Sequence, residues 1–147
     1  MSVPVYVVDA FTEERFSGNP AGVCILPSAT FLPAPAQGAL AVVARANDTR
    51  LASVVTRIDH APTHACVTAE RTFAAALGGD CRVPLGALAT FRGQAVSLMG
   101  EVLTPGGRAH LRLRRRGPAS DAGPLGSRLG KALRDRGALD LLSPARR

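Results

Sequence analysis

The chain has 147 residues, 46% of them apolar and only 4% aromatic, with Gly and Pro too sparse for low-complexity disorder. Length allows one ordinary domain, or a smaller one with an appendage, and needs no metal or disulfide to fold. The net charge of +7 divides unevenly: residues 1–80 carry −2 and residues 81–147 carry +9, almost all of it arginine.

In chain order, residues 3–8 read as a short apolar strand. Residues 9–22 are turn-rich, with the cluster Ser17-Gly18-Asn19-Pro20, and residues 23–26 form a second strand candidate. The uncharged stretch 16–44 is long enough to span a bilayer, yet Pro20, Pro27, Pro33 and Pro35 exclude a membrane helix. Residues 27–35 read as a proline-punctuated linker, and residues 38–45 as another apolar strand. Asn47 or Asp48 caps a helix running to Ile58, with Leu51, Val54, Val55 and Ile58 on one face.

The clearest helix spans residues 62–77. Cys66, Ala69, Phe73 and Leu77 recur on one stripe, and Gly78-Gly79 ends it. Residues 85–91, 95–103 and 109–115 then read as three strands. The links Arg92-Gly93 and Pro105-Gly106-Gly107 are short, which makes the pairing antiparallel. A last helix spans residues 121–136, with Leu125, Leu129 and Leu133 in register and Gly137 as its stop. The expected fold class is α+β: a small three-stranded antiparallel sheet with helices on one face, preceded by an irregular segment that contains a strand.

Three cysteines at 24, 66 and 81 show no CxxC spacing, so neither a disulfide framework nor a cysteine-rich zinc site is indicated. Without a signal-peptide pattern, the expected setting is a reducing cytoplasm. Cys24 and Cys66 read as small buried apolar residues. Cys81 follows two glycines at a helix end, which puts a thiol on a tight loop beside Arg82. His60 and His64 are four apart with Pro62 between them, so no metal site is expected. Glu70 and Arg71 read as an acid and a base that tether helix packing. Arg112 and Arg114 alternate with Leu111 and Leu113, giving a solvated strand face. No aromatics interleave with the arginines, so no nucleic-acid partner is expected.

Two resemblances follow from longer motifs. The segment VDAFTEERFSGNPAGV, residues 8–23, resembles the opening of the phenazine-biosynthesis-like isomerases, over about residues 3–26. The segments PAPAQGAL (33–40), AERTF (69–73), LGGDCRVPLGA (77–87) and RRRGP (114–118) resemble hydroxymethylbilane synthase, also called porphobilinogen deaminase, from about residue 31 onward. Ala36, Val43 and Asp80 depart from that family's pattern. This second resemblance implies three parts: an isomerase-like head at 1–30, a hinge and first-domain remnant at 31–57, and the family's third domain at 58–147.

The resemblance also implies chemistry. Cys81 corresponds to the cysteine that holds a dipyrromethane cofactor through a thioether, and Gln37 and Gly38 to hinge residues that contact the pyrrole chain. The implied function is that of a truncated hydroxymethylbilane synthase of tetrapyrrole and heme biosynthesis, a transferase family. Its implied partner is a linear polypyrrole built from porphobilinogen. No catalytic residue is assigned, because the family's catalytic aspartate and substrate-binding arginines lie in segments not represented here. The alternatives are a non-catalytic interaction module, a pseudogene product, or a fragment of the isomerase. Oligomeric state is not legible in the sequence.

Overall fold

The computed structural model describes residues 3–79 and 83–142. The chain divides into two compact units, Met1–Phe31 and Leu32–Arg147.

The first unit is a single antiparallel ribbon of β1 (Val5–Ala10) and β2 (Asn19–Cys24), with Val5 opposite Cys24 and Ala10 opposite Asn19. The second strand therefore starts earlier than its apolar run, taking in Pro20 and Gly22. Both strands of a two-stranded ribbon are edges, the position in a sheet where proline is tolerated. Cys24, expected to be buried, is exposed at the end of β2.

The expected strand at 38–45 does not form. Gly38 sits at φ +85° after a turn, and the following residues have no strand to pair with, leaving Leu40 and Val43 about nine-tenths exposed. The helix α1 (Thr49–Ile58) does form, capped by Asp48, whose Oδ1 accepts from the N–H groups of Arg50 and Leu51. It buries none of its residues, so the Leu51–Ile58 stripe is amphipathic in sequence and unpacked in space.

The core lies in the second unit. Here α2 (Ala61–Ala76) and α3 (Ala122–Arg134) cover one face of a sheet of β3 (Leu85–Arg92), β4 (Ala95–Leu103) and β5 (His110–Pro118), in the order β3-β4-β5 and antiparallel throughout. Along β4, Val96, Leu98 and Val102 point to the helices, as period-two alternation requires. Gly100 takes the fourth place on that face because the Phe73 ring occupies the space a Cβ would fill, at 2.5 Å. From α3, Leu125, Leu129 and Leu133 complete the layer. A short α4 (Ala138–Leu142), not anticipated from the sequence, adds Ala138 and Leu142 after the turn at Gly137 (φ +86°).

The two helices touch through small residues. A Cβ on Gly126 would lie 2.2 Å from the Ala69 carbonyl, and one on Gly130 would lie 2.6 Å from the Ala76 Cβ. The Thr72 hydroxyl donates back to the Thr68 carbonyl at 2.8 Å and lies 3.1 Å from that of Gly123. Close backbone approach is thus the reason α3 carries glycines that a free helix would avoid.

Candidate functional site

Two places in the second unit bear on chemistry: the loop between α2 and β3, and the hinge that precedes α1. The loop's ends are fixed. Gly78 (φ +63°) and Gly79 donate to the carbonyls of Ala75 and Ala74 at 3.0 and 2.9 Å, closing α2 with paired C-terminal bonds. Gly79 admits no side chain, since a Cβ there would lie 2.5 Å from the Leu85 side chain. On the far side, the Leu85 N–H donates to the Val83 carbonyl at 2.8 Å as β3 begins. Arg134 supports the same end of α2 by donating to the Ala76 carbonyl at 3.3 Å, where a cation complements the helix dipole. Cys81, with Asp80 and Arg82, falls between these fixed ends and lies outside the described residues.

The hinge is held by Glu70. Its side chain reaches out of α2 and is 7% exposed. One carboxylate oxygen accepts from the Ala36 N–H at 2.7 Å, and the other accepts from the Ala89 N–H at 2.6 Å. The Ala87 N–H donates to the Pro33 carbonyl at 2.9 Å. Ala87 and Ala89 are successive outward-facing positions of β3, the edge strand. The hinge segment and the Glu70 carboxylate therefore cover that edge, which would otherwise present unpaired donors. Leu32 is buried over Gly86, whose missing Cβ makes the room.

Burial raises the pKa of Glu70 above the ordinary carboxylate value, and the two backbone N–H donors partly offset this. Burial also raises the thiol pKa of Cys66, and the negative charge of Glu70 adds to it. Cys66 is thus half-buried and poorly ionised, the opposite of an activated nucleophile.

Gln37 and Gly38 stand on this hinge. The Gln37 side-chain oxygen accepts from the Ala34 N–H at 3.1 Å, and the Gln37 backbone N–H donates to the Ala34 carbonyl at 3.1 Å. Gly38 lines a cleft of about 920 Å³ between the hinge and the start of α2, with Ala36, Leu40, His60, His64 and Arg71 among its walls. His64 Nδ1 lies 3.2 Å from Asp59, and His60 Nδ1 lies 2.8 Å from the Thr63 hydroxyl. Among the described residues, no three His, Cys, Asp or Glu side chains gather closely enough to hold a metal ion. No helix among them is long and apolar enough to cross a membrane.

The sequence singled out Cys81, Gln37 and Gly38 but treated Glu70 only as a helix tether. Its reach across to Ala36 and Ala89 depends on which backbone donors the fold leaves open. The one available signal was an acid on a helix stripe otherwise facing the core.

Comparison with known proteins finds similarity to one family. Residues 64–135 match the porphobilinogen deaminase, C-terminal domain, family. The chain is 44% identical over 113 residues to the porphobilinogen deaminase of Stenotrophomonas maltophilia strain R551-3, covering 77% of this chain and 37% of that protein. It is 41% identical over 121 residues to the porphobilinogen deaminase of Desulforudis audaxviator strain MP104C, covering 82% and 39%. It is 41% identical over 131 residues to that of Xanthomonas oryzae pv. oryzae strain PXO99A, covering 89% and 41%. The chain thus spans about two fifths of the length of these curated relatives.

Proposed function

Because its second unit is related to the porphobilinogen deaminases through their C-terminal domain, we propose that this chain is the cofactor-carrying part of a hydroxymethylbilane synthase. In this reading the dipyrromethane group is carried on Cys81 through a thioether. The observation that carries the reading is the family match across residues 64–135, which runs through the Gly78-Gly79 helix stop, Cys81 and the start of β3.

The described residues fit such a group. The described residues on either side of Cys81 are held in place, Gly78 and Gly79 by the carbonyls of Ala75 and Ala74, and Leu85 by that of Val83. Gly79 leaves room for the Leu85 side chain, which a Cβ there would meet at 2.5 Å. When bound, the group supplies the terminal pyrrole carbon to which further pyrrole units are joined.

The proposal extends to the hinge. Gln37 and Gly38 contact the pyrrole chain, with the Gln37 oxygen committed to Ala34 and its NH2 group left to donate. Arg71, on the wall of the same cleft, has the planar fork that suits the acetate and propionate side chains of a polypyrrole. Glu70 holds the hinge to the sheet while the chain lengthens. The proposed setting is the cytoplasm, and the proposed partner is a linear polypyrrole derived from porphobilinogen. Since the chain spans about two fifths of its relatives, the proposed role is carrying the cofactor, with no tetrapyrrole formed from porphobilinogen by these residues alone.

The test is intact-protein mass spectrometry of the chain after incubation with preformed linear tetrapyrrole, for wild type and Cys81→Ala. The reading predicts a covalent adduct on Cys81 with the mass of the linear tetrapyrrole less one water, lost as the thioether forms, and absent from the Cys81→Ala protein. An unmodified Cys81 thiol in folded wild-type protein refutes it.

A further inference from the structure

The cleft between the hinge and α2 has two walls of opposite character. On the α2 wall, His60 at the N-cap, His64, Val67 and Arg71 form one stripe: at 3.6 residues per turn they lie within roughly 60° of one another around the axis. The helical rise spreads the three polar groups over about 16 Å, and all three are exposed. The facing segment, residues 35–42, carries no ionisable side chain. Leu40 and Val42 from that segment, with Ile58 from the end of α1, are 88%, 59% and 59% exposed. At about 920 Å³ the cleft is large enough for an organic ligand, and apolar walls with a few convergent polar groups are what such a ligand needs.

Each histidine is held by one ring nitrogen. The Asp59 carboxylate only accepts, so His64 Nδ1, 3.2 Å away, carries the proton, and the neutral ring keeps its acceptor lone pair on Nε2. His60 Nδ1 lies 2.8 Å from the Thr63 hydroxyl, which donates to it when Nε2 carries the N–H. Among the described residues, no carboxylate pairs with Arg71. Along the helix the stripe therefore offers a donor, an acceptor and a planar cationic fork.

We propose that this cleft binds a free linear polypyrrole without a covalent bond, separately from any group carried on Cys81. The choice of ligand rests on the proposed function; the site rests on the cleft. Pyrrole rings are flat and apolar, and they lie against Leu40, Val42 and Ile58. A pyrrole N–H donates to His64 Nε2, while acetate and propionate groups take the Arg71 fork and the His60 N–H. Asp59 is a positioning residue that acts through the His64 tautomer. A small polycarboxylate without rings uses Arg71 but leaves the apolar wall wet and the His64 acceptor unfilled.

The probe is a synthetic dipyrromethane with acetate and propionate side chains, titrated by calorimetry into the full Cys81→Ala chain, which lacks the thiol for a thioether at that position. Controls are its methyl ester and citrate. The expected result is saturable binding of the acid, weakened about tenfold or more by Arg71→Gln and about three- to tenfold by His64→Ala. The ester and citrate should bind about tenfold more weakly than the acid, or not at all. Nitrogen NMR of the imidazole rings should place the His64 proton on Nδ1; Asp59→Ala should remove that preference and weaken binding. Thermal melting checks that these exposed substitutions leave the fold intact. No binding, binding indifferent to both Arg71→Gln and His64→Ala, or equal binding of the ester or of citrate overturns the proposal. Loading of wild-type Cys81 without binding by the Cys81→Ala chain overturns this inference alone. Binding without loading supports it and refutes only the cofactor reading.

Discussion

Glu70→Gln is the sharpest test of how this domain holds its hinge. The wild-type carboxylate accepts from Ala36 at 2.7 Å and from Ala89 at 2.6 Å. Glutamine keeps the shape but has one acceptor oxygen, so one of the two N–H groups is left facing an amide that only donates. A buried donor without a partner costs about 1–3 kcal/mol. The removed charge was itself penalised by burial, as the raised pKa of Glu70 shows, so relief of that penalty opposes the loss. The net destabilisation should fall near the lower half of that range, about 1–2 kcal/mol. For a unit of this size that lowers the melting temperature by roughly 3–10 °C. Thermal unfolding measures the total, and amide exchange locates it. Exchange at Ala36 or Ala89 should quicken about 5- to 30-fold, while amides near Phe73 and Leu129 change only with global stability. Unchanged melting together with unchanged protection at Ala36 and Ala89 would show that the carboxylate does not tether the hinge.

The same residue gives a pH signature. Its folded pKa is raised, so its contribution to stability is full below the ordinary carboxylate value and is lost as pH rises through the folded pKa. The stability of wild type relative to Glu70→Gln should therefore fall with rising pH in the window just above the ordinary carboxylate pKa; a rise there contradicts the assignment. In Cys81→Ala protein, an alkylating agent should label exposed Cys24 well before Cys66, whose thiol is held protonated by burial and by Glu70. Equal labelling rates in the folded protein would refute this. Gly126→Ala should cost about 1–3 kcal/mol or more by denaturant unfolding, since its Cβ meets the Ala69 carbonyl at 2.2 Å. Gly123→Ala, whose Cβ meets only methyl groups at 3.9 Å, should be neutral or gain up to about 1 kcal/mol. Similar losses for both would mean that the helices do not meet as described.

What the sequence made legible was whatever is fixed locally. The Phe73 and Leu77 stripe, the Gly78-Gly79 stop, the β4 alternation and the Leu125–Leu129–Leu133 row each depend on neighbours within a few positions, and each lies where its pattern puts it. The segment 38–45 failed for the opposite reason. A strand needs a partner edge, and composition cannot say whether one is near. Cys24 failed as well, lying in an apolar run yet exposed at the end of β2. The hinge site was half legible: Gln37 and Gly38 stood out by motif, but the role of Glu70 requires knowing that Ala36 and Ala89 converge on it from 34 residues before and 19 residues after.

A three-stranded sheet has two edges and one strand between them, and this one treats its edges differently. At β3, neutral backbone lies against neutral backbone: Pro33 answers Ala87, and one buried acid answers Ala89 and Ala36 together. Closing that edge commits it permanently, and the same bonds fix where the hinge leaves the domain. At β5 arginine occupies positions 112, 114 and 116, whose side chains share one face of the sheet, and Arg112 is paired there with buried Glu101. Charge keeps such an edge from pairing with its own copies. The +9 of the second half of the sequence is thus distributed with a direction: part of it lies along β5, away from the hinge that Glu70 secures at the β3 edge.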